Sequence, residues 1–260
     1  MFERELELMI EACKKAKVEI MKIYNQDFDV EIKDDDSPVT LADKTADKLI
    51  KELLSKEFPS YAFLTEESED NLERRKNDLL FVIDPVDGTK DFVAKDDMFT
   101  TNVGLVYKEE VVAGVVYVPA RDEYYFALKG KGAFYCKEGQ NPVRIQVNDK
   151  TSDLTMLISV FHTTEKEKQI IEDNKDVISK VERYGSAIKA CRIAQGLAEV
   201  SFRLGNGTKE WDTAASQIIV LEAGGVFAKP DLSPITYNRI DVYNREGFVI
   251  LNRKENLLVK

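Results

Sequence analysis

Residues 79 to 92, LLFVIDPVDGTKDF, constrain the fold of this chain more than any other stretch: an apolar run stops abruptly at two aspartates, a proline, a glycine and a threonine. Leu79, Leu80, Phe81, Val82 and Ile83 show no alternation, which predicts a strand buried on both faces. Such a strand delivers Asp84 and Asp87 to a sheet edge. Proline in second place of Asp84-Pro85-Val86-Asp87 predicts a turn whose first and last Cα atoms come within about 7 Å. Two carboxylates then face one spot, and at pH 7 their repulsion calls for a cation. Oxygen-rich sets of this kind suit Mg2+, Mn2+ or Ca2+. Gly88 and Thr89 add backbone amides and a hydroxyl where a phosphate would bind. Metal-dependent phosphate chemistry is the first reading of this stretch.

At 260 residues with 43% hydrophobic side chains, the chain is long enough for a real core, in one large domain or two modest ones. Its 47 acidic against 37 basic residues give a net charge of -10, which repels polyanions and disfavours a nucleic-acid groove. A small anionic substrate therefore needs local cations. Cys13, Cys136 and Cys191 are odd in number and have no metal-like spacing, so they read as reduced thiols in the cytoplasm. No export signal or membrane-spanning run is expected from the acidic N-terminus or the interrupted apolar stretch near residues 111 to 120.

Phe2, Leu6, Met9, Ile10, Cys13, Ile20 and Tyr24 predict a long first helix. After an extended piece, FDVEIK, a second helix starts near Thr40 with Leu41, Leu49, Ile50, Leu53 and Leu54 on its buried side and Asp43 in its first turn. A strand over Tyr61 to Leu64 leads to the acidic loop TEESED; NLERRKND reads as a solvated loop. From Thr100 to about Val147, short strands with hairpin-length joins predict an antiparallel meander. The second half alternates as α/β: a strand TMLISV, a helix near 164 to 173, a helix from Ser186 to Gly196, a strand AEVSFRL and a helix from Trp211 to Ala223, closed by Gly224 and Gly225. The expected division is an α+β part over residues 1–150 and a smaller α/β part over 151–260.

Several residues carry two readings. Glu66 and Glu67 are either a solvated loop or partners for Asp84 and Asp87. Asp212 in WDTAA and Asp43 each suit a helix first turn, or a metal ligand and a proton acceptor respectively. Ser186 and Lys189 fall one helical turn apart, with Gly185 leaving that helix start open, as a serine cap and solvated lysine or as an anion seat. Arg203 shares a strand face with Glu199 and Ser201, which is either an ordinary solvent face or a second cation for the site. His162, the only histidine, has no nucleophile motif beside it, so a catalytic triad is not expected.

TEES, DPVDGT and WDTAA, in that order and over this length, resemble the Mg2+-dependent, lithium-sensitive phosphatases typified by inositol monophosphatase. Within that superfamily the chain is most similar to the 3'(2'),5'-bisphosphate nucleotidase branch of the CysQ type. SPVTLAD at 37 to 43, DGTKDF at 87 to 92, FTTNVGLV at 99 to 106, GVVYVP at 114 to 119 and GSAIKACRIAQGLAE at 185 to 199 carry that likeness. Inositol monophosphatases typically have threonine and asparagine where Lys90 and Asp91 stand, and lack a lysine matching Lys189. Ala187, Phe161 and Asp91 depart from the branch's frequent serine, small polar residue and glutamate.

The resemblance implies a layered αβαβα sandwich with its site between the two halves. It implies that Glu66, Asp84, Asp87, Asp212 and the Val86 carbonyl hold two or three Mg2+ ions. Asp43 with Thr89 would orient and deprotonate the attacking water; Gly88 and Thr89 would lie at the scissile phosphate; His162, Ser186, Lys189, Arg203 and Asp212 would surround a nucleotide. The implied reaction removes the 3'-phosphate of adenosine 3',5'-bisphosphate (PAP), with the sulfated nucleotide PAPS as a further substrate, in a monomer or homodimer. Alternatives are a phosphatase of inositol or other sugar phosphates, a non-catalytic acidic metal-binding regulator, and a two-metal nuclease, the last disfavoured by the charge of -10.

Overall fold

Helix α1 (Glu3–Tyr24) forms where Leu8, Met9, Ala12, Cys13, Ala16, Ile20 and Tyr24 recur at helical spacing, and all seven are buried. The computed structural model describes residues 1–26, 30–32, 38–70 and 72–259. Phe28, Asp29 and Lys33 of the expected extended piece, and Ser37 of the SPVTLAD motif, lie outside the described residues. Strands β1 (Val30–Ile32) and β2 (Pro38–Thr40) pair antiparallel ahead of α2 (Leu41–Glu57). The buried stripe of α2 is Ala42, Asp43, Ala46, Asp47, Ile50 and Leu54. That corrects the expectation for Leu41, which is exposed; two aspartates turn inward instead.

A seven-stranded sheet follows, in chain order across its width: β3 (Ala62–Thr65), β4 (Leu79–Asp87), β5 (Thr100–Tyr107), β6 (Glu110–Val118), β7 (Glu123–Leu128), β8 (Gly132–Lys137) and β9 (Val143–Ile145). The β3–β4 pair is parallel, and β4 through β9 form the antiparallel meander. A short helix α3 (Thr89–Ala94) leaves the end of β4. Then come β10 (Leu154–Ile158), α4 (Glu165–Asp173), β11 (Ile178–Arg183), α5 (Ile188–Ala194), β12 (Val200–Arg203), α6 (Glu210–Glu222), β13 (Val226–Ala228) and β14 (Phe248–Leu251). Their five strands make a mixed sheet in the order β11-β10-β12-β14-β13.

Three of these strands were not expected. β11, ISKVER, is an edge strand with charges toward water, β13 has only three residues, and β14 is a short run whose partners are distant in sequence. The helix expected over Ser186 to Gly196 is confined to Ile188–Ala194, because Ser186 has φ +42° and stands outside it. Asn71 of NLERRKND lies outside the described residues; the rest of that segment is not simply solvated, since Glu73–Lys76 forms a 3-10 turn and Arg74 is buried.

Alternation along the strands assigns side chains to the layers. Phe81 and Ile83 of β4 join a core with α1 and α2, whereas Leu80 and Val82 point the other way, into a core with α5 and α6. That second core also takes Leu157, Phe227 and Ile250 from the inner face of the five-stranded sheet. Leu154, Met156 and Ile158 face outward against Ile170 of α4. The result is the layered αβαβα sandwich. The two sheets are joined by residues 146–153, yet α6 of the second half packs in one core with strands of the first.

Helix α6 comes unusually close to the large sheet because glycines pave its track. Gly104 and Gly114 face each other across β5 and β6. A Cβ on Gly114 would stand 2.5 Å from the Ala215 carbonyl oxygen and 2.6 Å from Ile218 Cγ2. Alanine in a strand is ordinarily better than glycine by about 0.5–1 kcal/mol, but overpacking of this kind costs about 1–3 kcal/mol. Gly114→Ala is therefore expected to lower the urea-unfolding free energy by about 1–2 kcal/mol; an unchanged or raised midpoint would show that α6 does not press on the sheet there.

Candidate metal and phosphate site

Asp84 and Asp87 reach one face through a bulge, which corrects the expected turn. Asp84 pairs with Asn102 of β5 and Asp87 with Thr100, so three residues on one strand span two on the other. Two carboxylates three residues apart on a regular strand point to opposite faces; the extra residue restores them to the same side. Pro85, which has no N–H to give the ladder, lies inside the bulge, and Thr101 Oγ1 donates to the Pro85 carbonyl at 2.8 Å. The third acid arrives on α6. Asp212 occupies the first turn, where its Oδ2 accepts from the Lys209 backbone N–H at 2.5 Å, so it is both a helix cap and a member of the cluster.

Oxygens of Asp84, Asp87 and Asp212 lie within 4.8 Å of one another. At an effective dielectric of about 20, two unit charges at that separation repel by about 3.5 kcal/mol. Three such pairs rival the whole stability of an ordinary domain, about 5–15 kcal/mol. The site must therefore be protonated or hold cations. Neither oxygen of Asp84 has a hydrogen-bond partner among the described residues, although both are buried, which fits a carboxylate whose partner is a metal ion. Burial, then the charges of Glu66, Asp87, Asp212 and Asp43, push Asp84 well above the usual carboxylate range. Asp212 is raised in the same way by burial and by Asp87 and Glu66.

Asp87 is the best supported of the three. Its Oδ2 accepts from the Ala187 N–H at 2.9 Å, from Asn102 Nδ2 at 3.2 Å and from Thr100 Oγ1 at 3.4 Å. Burial lifts its pKa to about 6, against the pull of Lys189 and these donors. Glu66, at the end of β3, lines the same cavity with Val86, Gly88 and Thr89. Gly88, at φ +90°, makes the left-handed step from β4 into α3. Asp43 is not among the cavity-lining residues; it is buried in the first turn of α2, near enough for its charge to act on Asp84.

The cavity, about 510 Å³, runs from this acidic floor to a wall bearing His162, Ser186, Lys189 and Arg203. Ser186 and Lys189 meet, though not on a helix face. Lys189 Nζ donates to the Ser186 carbonyl at 2.7 Å and to the Tyr184 carbonyl at 3.1 Å, and Ser186 Oγ donates to the Met98 carbonyl at 3.0 Å. Gly185 does not open a helix start: a Cβ there would lie 2.3 Å from Asp91 Oδ1. Burial lowers Lys189 to about 8, which leaves it cationic at neutral pH. His162 stands exposed at the rim, its pKa lowered by partial withdrawal from water and by Lys90, Arg203 and Lys189.

Arg203 does not lie on a solvent face. Ser201 and Glu199 beside it are buried, and Glu199 is occupied by Asn148 Nδ2 at 2.6 Å and the Thr155 N–H at 2.5 Å, a structural tie between β10 and the preceding link. The Arg203 guanidinium donates to the His162 carbonyl and lies 3.7 Å from buried Glu167. Glu167 lines the cavity and was missed in the sequence, where it reads only as the third residue of a helix, in the Thr164 capping box it also forms. Asn102 and Thr100, the supports of Asp87, were signalled only as part of FTTNVGLV.

With this geometry in hand, the comparisons are specific. The inositol monophosphatase family profile matches residues 3–256. The chain belongs to the inositol monophosphatase family. Among its relatives, the 3'(2'),5'-bisphosphate nucleotidase CysQ of Aggregatibacter actinomycetemcomitans is 31% identical over 248 residues, covering 94% of this chain and 91% of the relative. The Nus factor SuhB of Pasteurella multocida is 34% identical over 235 residues, covering 85% and 83%. The crystal structure of CysQ from Bacteroides thetaiotaomicron, a bacterial member of the same family, superposes with a TM-score of 0.83 at 32% identity, covering 98% of this chain and 99% of that one. No helix among the described residues is long and apolar enough to cross a membrane.

The raised acids set a pH dependence for the metal-free protein. Each has a folded pKa above its unfolded value near 4, so the unfolded state sheds its proton first and stability falls as pH rises through that window, up to about 6 for Asp87. In EDTA, the melting temperature is expected to drop between pH 4.5 and 7. An added divalent cation should restore it, more at pH 7 than at pH 5. Asp87→Asn should flatten the slope; an equal slope in the variant would mean the cluster does not cause it.

Proposed function

We propose that this chain is an Mg2+-dependent phosphatase that removes the 3'-phosphate of adenosine 3',5'-bisphosphate, yielding AMP and phosphate, with PAPS as a further substrate. The observation that carries the reading is the pairing, in one cavity, of a compact acidic floor with a cationic wall formed by Lys189 and Arg203. An inositol monophosphate has no second phosphate for that wall. The relatives named CysQ support the same choice.

Glu66, Asp84, Asp87, Asp212 and the Val86 carbonyl would hold the ions, two or three in number. Bound Mg2+ supplies Lewis acidity and neutralises the charge of the substrate and of the acids. The chain's own groups do the rest. Asp43 with Thr89 orients a water and accepts its proton, so phosphate passes to water without a covalent enzyme intermediate. Gly88 and Thr89 seat the scissile phosphate beside the start of α3. Lys189 and Arg203 bind the remaining phosphate, with Ser186, His162 and Asp212 around the nucleoside. Phosphoryl transfer demands mainly positioning and charge stabilisation, so a chain with one histidine is equipped for it. The free thiols of Cys13, Cys136 and Cys191, all buried, suit a cytoplasmic enzyme.

A second reading has its own support in the relative named Nus factor SuhB. It would keep the fold and change the substrate, or dispense with turnover. Phosphate release from PAP, PAPS, 2'-AMP and inositol 1-phosphate, with and without Mg2+ and Li+, separates the readings. The expected order of kcat/KM is PAP first and inositol 1-phosphate well below it; no release from any substrate would favour the non-catalytic protein.

Two variants test the residues. Asp87→Asn is expected to reduce turnover at saturating Mg2+ by more than a hundredfold while the circular dichroism spectrum stays native; retention of most activity would remove Asp87 from the metal set. Lys189→Ala is expected to raise KM for PAP at least tenfold, about 1.4 kcal/mol, and to change KM for 2'-AMP or inositol 1-phosphate far less. Equal effects on all three would show that Lys189 does not read the second phosphate.

A further inference from the structure

Four ionic side chains outside the cavity, with Arg74 and Glu210 buried and Asp70 and Arg239 partly exposed, form a clasp between the two halves of the chain. Arg74, only 4% exposed, lies on the turn that follows the Glu66 loop. Its Nε and Nη2 hold the Asp70 carboxylate in a fork at 2.8 to 3.1 Å, Nη1 donates to Asn238 Oδ1 at 2.7 Å, and Nη2 also donates to the Arg239 carbonyl at 2.7 Å. Glu210, fully buried, accepts from the backbone N–H groups of Asn238 at 2.7 Å and Arg239 at 2.9 Å, and from Arg239 Nε at 3.1 Å. At one end the clasp holds Asp70, four residues after Glu66. At the other it holds Glu210, two residues before Asp212.

Stability alone is a poor reason for such an arrangement. Buried ion pairs are often no better than apolar side chains of the same volume, because desolvation offsets their attraction. What they do supply is direction: a guanidinium fork fixes a carboxylate in angle as well as distance. Here the directions are set between a loop of the first half and the first turn of α6. These are the segments that bring Glu66 and Asp212 to the acidic floor, where both charges act on Asp84.

We propose that the Asp70–Arg74–Arg239–Glu210 clasp is a positioning device for the metal site, holding Glu66 and Asp212 in the register that divalent-cation binding requires. The inference rests on the reading of the acidic floor as an Mg2+ site. Groups hydrogen-bonded directly to metal ligands typically change metal affinity about 10–100-fold when altered, and the clasp, which acts through the backbone from two and four residues away, is set at the lower end of that range.

Calorimetric titration of the full chain with Mg2+ alone tests it. Arg74→Gln and Glu210→Gln are each expected to weaken Mg2+ binding at least tenfold, and the double variant about as much as either single one, because both act through one clasp. Arg74→Lys, which keeps the charge and loses the fork, should rescue only partly. With Mg2+ raised to saturation, kcat should return to within about threefold of wild type. Lys76→Gln, on the exposed side of the same turn, should bind Mg2+ normally. Should the buried variants fail to fold, Asp70→Asn at the more exposed end of the clasp serves in their place, with at least a threefold loss expected. Variants that fold, melt lower and bind Mg2+ as wild type would overturn the proposal, leaving the clasp merely structural. A wild-type chain that binds no Mg2+ would instead overturn the reading of the floor itself.

Discussion

Mutual repulsion among Asp84, Asp87 and Asp212 is the constraint on which the rest of the structure turns. Oxygens from three carboxylates within 4.8 Å of one another oppose folding wherever they are ionised. The fold tolerates them because each is held by a rigid element. β4 is flanked by apolar cores on both faces, so its bulge cannot relax without disturbing Phe81 and Ile83 on one side or Leu80 and Val82 on the other. Asp212 is tied by its own helix cap, and Asp87 by Ala187, Asn102 and Thr100. The repulsion stored in this cluster is what a bound divalent cation would relieve.

The middle helical layer joins this floor to the wall that faces it. α6 brings Asp212 to the floor, and its approach to the large sheet depends on Gly104 and Gly114. The segment entering α5 touches both sides of the cavity: the Ala187 N–H holds Asp87, while Ser186 and Lys189 form the opposite wall. A shift in that segment would move a proposed metal ligand and a proposed phosphate ligand together. Arg203, for its part, shares its environment with Glu167, so its charge is partly balanced before any substrate enters. Lys189 is balanced in the same way, by the nearby charges of Asp87 and Asp91 and by its two carbonyl acceptors.

Several of the charged residues show why a local pattern is an incomplete guide. Asp47 is an acid, yet it stands three and seven residues before Ile50 and Leu54 on the stripe of α2 that faces the sheet, and it is buried there with Asp43. Glu199 has the alternation of an outward strand residue, but its strand lies between layers and has no outward face. Arg74 sits in a polar run that reads as loop, and only the distant residues 238 and 239 draw it inside. For Glu199 and Arg74 the deciding partners come from distant parts of the chain, and local periodicity carries no information about them.

By itself the sequence determined what short-range physics sets: the doubly buried strand at residues 79 to 83, the meander with its hairpin joins, the long helices, and the presence of acids at TEES, DPVDGT and WDTAA in an order that identifies the family. Apolar periodicity, turn chemistry and motif order are all written within a few residues of one another. Only the tertiary structure decided that Asp84 and Asp87 share a face through a bulge, that Asp212 joins them while capping its helix, and that Lys189 reaches the Ser186 carbonyl from a helix starting later than expected. It alone brought Arg74 and Glu210 together across the two halves. Those outcomes depend on strand register and on layers packing against each other, and both are set by contacts between residues far apart in the chain.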